Sequence, residues 1–161
     1  GVLSRVFSWK LTDNCAQSFT NYFFCIIMEK TTICSIEIVT FTNGERSLIK
    51  TQGRYAEEAD GFTLSYEHEG DRSRLIAHGQ TFLMQRTGEN ELSMTLCEGV
   101  RGELVLGVGM NYGTVPVTTH RCRIRNVRDG WRISLAYALN FELESQIFHI
   151  NIAVKYISEE Q

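Results

Sequence analysis

From Trp131 to Leu143 apolar and polar residues alternate without a break. Trp131, Ile133, Leu135, Tyr137, Leu139, Phe141 and Leu143 fall on one side, and Arg132, Ser134, Ala136, Ala138, Asn140 and Glu142 on the other. A period of two predicts a β-strand with one dry and one wet face. Thirteen residues at about 3.3 Å each would run roughly 40 Å, well past the usual length of about five or six residues, and a small protein accommodates such strands by closing them into a barrel.

The same texture extends upstream to Thr32, punctuated by turn signals. Asn43-Gly44, Asp60-Gly61, Glu69-Gly70-Asp71, His78-Gly79, Thr87-Gly88-Glu89-Asn90, Glu98-Gly99, Tyr112-Gly113 and Asp129-Gly130 supply Gly, Asn or Asp where a tight hairpin needs positive φ. The spacing predicts about ten strands joined by hairpins, near 33–42, 45–58, 61–69, 72–78, 80–87, 90–98, 101–110, 114–126, 131–143 and 146–157. The sole proline, Pro116, is expected at a strand start, where its missing N–H costs little. Burying the apolar side of one such strand does no more than offset the entropy of ordering it, so the strands must associate. Closing the meander removes both edges and gives every apolar face one interior. The expected fold class is all-β, an up-and-down antiparallel meander closed into a barrel of about 8–10 strands, with a β-sandwich as the alternative.

Residues 1–27 do not share the pattern. They lack alternation and an initiating Met, carry the aromatic cluster Phe19, Tyr22, Phe23 and Phe24, and give way to Met28-Glu29-Lys30, which reads as the start of a bacterial reading frame. The expected organisation is an N-terminal extension over 1–30, arising from upstream translation or a truncated leader, followed by a barrel domain over 31–161. A helix packed across one barrel mouth is the alternative for the extension. No small-residue cleavage site follows Ile27, which argues against a secretory signal.

Composition narrows the function classes. A chain of 161 residues with 43% hydrophobic content can bury one core without disulfides or metal. The formal charge is −3, and Lys and Arg read as dispersed singly, so no basic stripe is expected and nucleic acid is not an expected partner. Cys15, Cys25, Cys34, Cys97 and Cys122 are odd in number and widely spaced, with no CxxC pair. They read as reduced thiols in a cytoplasm, with no metal or cofactor expected. The longest apolar run, Tyr22 to Met28, is too short to cross a bilayer, and no membrane partner is expected.

A set of short motifs adds a family resemblance. Thr51-Gln52-Gly53-Arg54-Tyr55, Asp60-Gly61-Phe62-Thr63-Leu64-Ser65-Tyr66-Glu67, Arg86-Thr87-Gly88 and Tyr112-Gly113, followed by a long Tyr- and Leu-rich hairpin, resemble the YwiB-like proteins. These are uncharacterised bacterial barrels of the lipocalin-like (calycin) superfamily, and the likeness covers about residues 32–157. The resemblance implies a lipocalin-like barrel and carries over no catalytic residues. The chain departs from the family pattern before the Tyr-Gly turn, with Val108 and Met110 where the pattern has a Tyr and a Thr, so a site built on those two groups is absent here.

The resemblance implies a lumen that takes one small apolar or amphipathic ligand. In the chain itself, Phe82, Met84 and Arg86 share one strand face and Phe62, Leu64 and Tyr66 share another. If these faces line the lumen, Arg86 meets an anionic head group while Met84 and the rings hold its tail, with Tyr66 and Tyr137 as further ligand-binding candidates. The bland reading is an Arg that closes one barrel end and a Tyr137 that satisfies its hydroxyl internally. His68, His78, His120 and His149 are far apart in sequence and read as turn or surface residues. No nucleophile motif stands out, so catalysis is not favoured, although an enzyme with its site inside the barrel is the third alternative. The second alternative is a packed interaction or scaffold barrel, with Trp131, Tyr137, Phe141, Phe148 and Tyr156 filling the lumen and a homodimer formed through an outer face.

Overall fold

The computed structural model describes residues 31–157, and the expectations for the N-terminal extension lie outside them. The chain runs through β1 (Thr32–Thr42), β2 (Glu45–Glu58), β3 (Gly61–His68), β4 (Asp71–His78), β5 (Thr81–Thr87), β6 (Asn90–Cys97), β7 (Arg101–Val108), β8 (Asn111–Val127), β9 (Gly130–Asn140) and β10 (Ser145–Tyr156). Each strand pairs antiparallel with the next, and β10 returns to pair with β1, so the ten form a closed barrel. The all-β meander read from the alternation is therefore the fold.

The alternation divides the wall into an inner and an outer surface. Ile36, Leu64, Leu75, Phe82, Leu96, Val117, Ile133, Leu135 and Ile152 are essentially inaccessible and belong to one core cluster. The residues that alternate with them along each strand face outward. Parity changes once, in β8. Thr119 pairs with Tyr137 and Arg121 with Ala136, so one extra residue bulges between them. Val117 and Thr119 are buried before the bulge, and Cys122 and Ile124 after it. The bulge resets which residues face in, and it sends Arg121, Arg123 and Arg125 to the outer wall.

The two ends of the barrel differ. At the end where β1 begins and β10 finishes, turns and strands tie across to one another. Gln80, in the β4–β5 turn, donates from Nε2 to the Ile124 carbonyl (3.1 Å) and accepts at Oε1 from the Ile124 amide (3.1 Å). Gly79 donates to the Asp60 carbonyl at 2.8 Å and Ile157 to the Ile33 carbonyl at 3.0 Å. The opposite end carries the β1–β2, β3–β4, β5–β6, β7–β8 and β9–β10 hairpins.

Three details depart from the sequence reading. β9 stops at Asn140, and a short turn follows in which the Phe141 amide donates to the Glu144 carbonyl at 2.8 Å. Phe141 (42% exposed) and Leu143 (99%) consequently leave the dry face and do not help to fill the lumen. The β7–β8 reversal comes earlier than Tyr112-Gly113, at Gly109 with φ +62, and Tyr112 and Gly113 sit inside β8. Pro116 is likewise inside β8, paired with Glu103 of β7. The β8–β9 pairing begins only at Val117 with Leu139, so at Pro116 the strand is open on that side and its missing donor is tolerated.

Gly130 fixes the β8–β9 corner. Its φ is +156, and a Cβ there would overlap the Val154 carbonyl oxygen of β10. Gly130→Ala is expected to lower the unfolding free energy by roughly 2–4 kcal/mol, because strain and steric overlap act together. Urea denaturation checks this, with Gly44→Ala as a comparison whose Cβ meets nothing within 4 Å.

Candidate functional site

The four ligand-binding candidates all project from the inner face, in the half of the barrel nearer the β1–β2 and β5–β6 hairpins. Tyr66 of β3 is aligned with Ser73 of β4, and Ser73 with Arg86 of β5, which is aligned in turn with Leu92 of β6. Met84 lies one inward step below Arg86, aligned with Leu75 and Met94. Tyr137 of β9 belongs to a different sector of the wall, aligned with Thr119 of β8 and Phe148 of β10. Its ring stacks on Phe148 with centroids 5.2 Å apart and planes 11° from parallel.

Tyr137 and Arg86 act on each other electrostatically. Burial pushes the Tyr137 hydroxyl from its ordinary 10.0 up to about 12, and the Arg86 guanidinium pulls the other way. Tyr137 is only 6% exposed, and no described residue hydrogen-bonds its hydroxyl. Arg86 is exposed and Tyr66 and Met84 are half-buried, so the arrangement grades from apolar packing to a charged rim.

The far end of the lumen is closed by aromatics. Tyr55 and Phe62 have ring centroids 5.5 Å apart, Phe62 and Trp131 4.9 Å, and Tyr55 and Tyr156 4.9 Å. Trp131 Nε1 donates to the Tyr55 hydroxyl at 2.9 Å and the Tyr156 hydroxyl donates to the same oxygen at 3.2 Å. Burial, followed by the Tyr156 hydroxyl, raises the Tyr55 pKa above its ordinary value. A satisfied polar network inside an apolar end rigidifies it.

The chemical groups elsewhere are structural. Cys34 and Cys122 are buried thiols pushed from 9.0 to about 11, chiefly by burial. Cys34 Sγ points at the Gly53 carbonyl (3.5 Å) and Cys122 Sγ at the Gln80 carbonyl (3.3 Å), and a thiol held protonated is a poor nucleophile. His78, His120 and His149 are exposed, and His68 lies 3.8 Å from Glu69. Among the described residues no three His, Cys, Asp or Glu side chains gather as a metal site.

Two solvent hollows lie on the outer wall. One, of about 810 Å³, crosses β2 to β5 and is lined by Arg54, Ser65, Tyr66, Glu67, Arg72 and Arg74 among others. Glu67 and Arg72 pair across it at 3.1 Å. The other, of about 700 Å³, spans β8, β9, β10 and β1 and holds Arg121, Arg123, Arg125 and Arg132. The sequence reading of singly dispersed basic residues does not describe this face. The signal was the run Arg121-Cys122-Arg123-Ile124-Arg125, in which strand alternation places every arginine on one side.

Comparison with known proteins agrees with this architecture. Residues 32–152 match the profile of a domain of unknown function, DUF1934. The chain belongs to this family. A crystal structure of the ywiB protein from Bacillus subtilis superposes with a TM-score of 0.63 at 16% identity, covering 81% of this chain and 95% of that one. At that identity the likeness speaks for the barrel fold alone. Functionally curated proteins give no significant match. The DUF1934 assignment fixes a β-barrel domain and leaves its activity to be argued from the residues.

The pKa of Tyr137 makes a testable statement. The unfolded chain ionises its tyrosine first, so the stability Tyr137 contributes is intact below pH 10 and is lost as pH rises from 10 to about 12. The unfolding free energy measured by urea titration at successive pH values should fall across this window, and Tyr137→Phe should flatten the decline.

Proposed function

We propose that this DUF1934 barrel is a binding module that takes one small amphipathic anion through the end that carries the β1–β2 and β5–β6 hairpins. The observation that carries the reading is the Tyr137 hydroxyl, the polar tip of a side chain that is otherwise almost wholly buried. It faces the lumen within electrostatic reach of Arg86 and has no hydrogen bond from a described residue. A hydroxyl with no protein partner is open to water or to a ligand, and a guanidinium nearby favours an oxyanion. Arg86 would grip a carboxylate or phosphate in bidentate fashion, Tyr137 would donate a further hydrogen bond, and Met84 and Phe148 would pack against the apolar part. Tyr66, aligned with Ser73 next to Arg86, would border the head group. With the other end closed by the aromatic network, a ligand would enter from the β1–β2 end.

A second reading is a ligand-free interaction barrel, and the interlocked Tyr55, Phe62, Trp131 and Tyr156 cluster favours it by filling that part of the lumen. Titration with dodecanoate, dodecyl phosphate and dodecanol separates the two. The proposal expects saturable 1:1 binding of an anionic probe, weakened roughly 10–100-fold by Arg86→Met, the range of one charge-assisted hydrogen bond. Dodecanol affinity and thermal stability should change little. Absence of binding by both anions, or an Arg86→Met variant that loses several kcal/mol of stability along with its affinity, would support the packed barrel instead.

A further inference from the structure

We infer that the outer wall of β8, β9, β10 and β1 carries a second binding site, for the oligophosphate group of a small molecule. Arg121, Arg123 and Arg125 leave β8 on one side because the bulge after Thr119 resets the alternation. Arg132 of β9 stands directly opposite Arg125 in register. These four arginines line a hollow of about 700 Å³ whose other described walls include Ser134, Asn151, Ala153 and the carboxylate of Glu37.

Three features make this more than a solvated face. Like charges set directly across two strands destabilise a sheet, so the Arg125–Arg132 pair costs the fold something that an anion would return. The ion pairs among the described residues, Arg72 with Glu67 and His68 with Glu69, lie elsewhere. The Nε of Arg121 is buried and has no hydrogen-bond partner, and a buried donor left unmade is costly.

The chemistry selects phosphate. All four cations are arginine, whose planar fork engages phosphate oxygens two at a time and is weakly hydrated. Four such groups against Glu37 alone call for several negative charges in a compact volume. A single carboxylate supplies one charge and two oxygens, whereas a di- or triphosphate supplies three or more charges. The hollow is within the size range of small-ligand sites. No aromatic side chain is among the described residues lining it, so the stacking platforms used for single-stranded nucleic acid are missing there.

Isothermal titration of the full chain with inorganic tripolyphosphate tests the inference, with a single-stranded oligonucleotide and a poly-glutamate peptide as comparisons. The expected result is one saturable tripolyphosphate site, weakened by added salt and roughly tenfold or more by the double substitution Arg125→Gln, Arg132→Gln. The same variant should keep or raise its melting temperature, since the opposed charges are gone. Arg54→Gln, in the other outer hollow, should leave binding unchanged. No saturable binding, equal binding by the double variant, or tighter binding of either comparison polymer would overturn the assignment.

Discussion

The pairing of the first strand with the last is the constraint on which the rest of the molecule depends. Every other pair in the wall joins strands that follow one another in the chain. Only β1 with β10 joins the two ends, from Cys34 with Tyr156 to Thr42 with Phe148. Forming it requires closure of a loop of most of the chain, an entropy that grows slowly with length but slows the search. Until it forms, β1 and β10 are open edges with unpaired backbone groups. Once formed, it brings Tyr156 of β10 within 3.2 Å of Tyr55 of β2 and Gln146 of β10 within 3.3 Å of Thr42. Both ends of the barrel are therefore braced by contacts that exist only in the closed ring.

Closure also decides what the inner and outer surfaces can be. In a ring each strand has neighbours on both sides, so side-chain parity alone assigns every residue to lumen or solvent. The β8 bulge is the single point where that rule is reset. Without it, Arg121, Arg123 and Arg125 would share parity with Val117 and Thr119 and face the core. One inserted residue thus separates an apolar interior from a cationic exterior.

The fold was legible in the sequence because its two signals, alternation and turn chemistry, are local. Ten strands were placed by Gly, Asn and Asp punctuation, with boundaries a few residues off where the pattern runs past the fold. Phe141 and Leu143 continue the alternation of β9 perfectly, yet the hairpin turns at Asn140 because β10 begins at Ser145, and periodicity carries no information about where a partner ends. The shared inner face of Tyr66, Met84, Arg86 and Tyr137 was readable in the same way. Their division between two sectors of the wall was not, since it depends on how many strands intervene around the ring. The arginine face was missed because Arg132 lies on another strand, and because charge was read along the chain rather than by parity.

A ring of nearest-neighbour hairpins has no natural first strand. The ends of β1 and β10 emerge side by side, with the Ile157 amide on the Ile33 carbonyl at 3.0 Å, so the seam between them is geometrically another hairpin missing its loop. Which strand comes first along the chain is thus a matter of connectivity rather than of architecture. The same wall could be written starting from any strand, with Thr32 and Tyr156 joined and a reversal such as Asn43-Gly44 left open. Barrel identity resides in the cyclic order of its strands, which cutting and rejoining the chain leaves untouched.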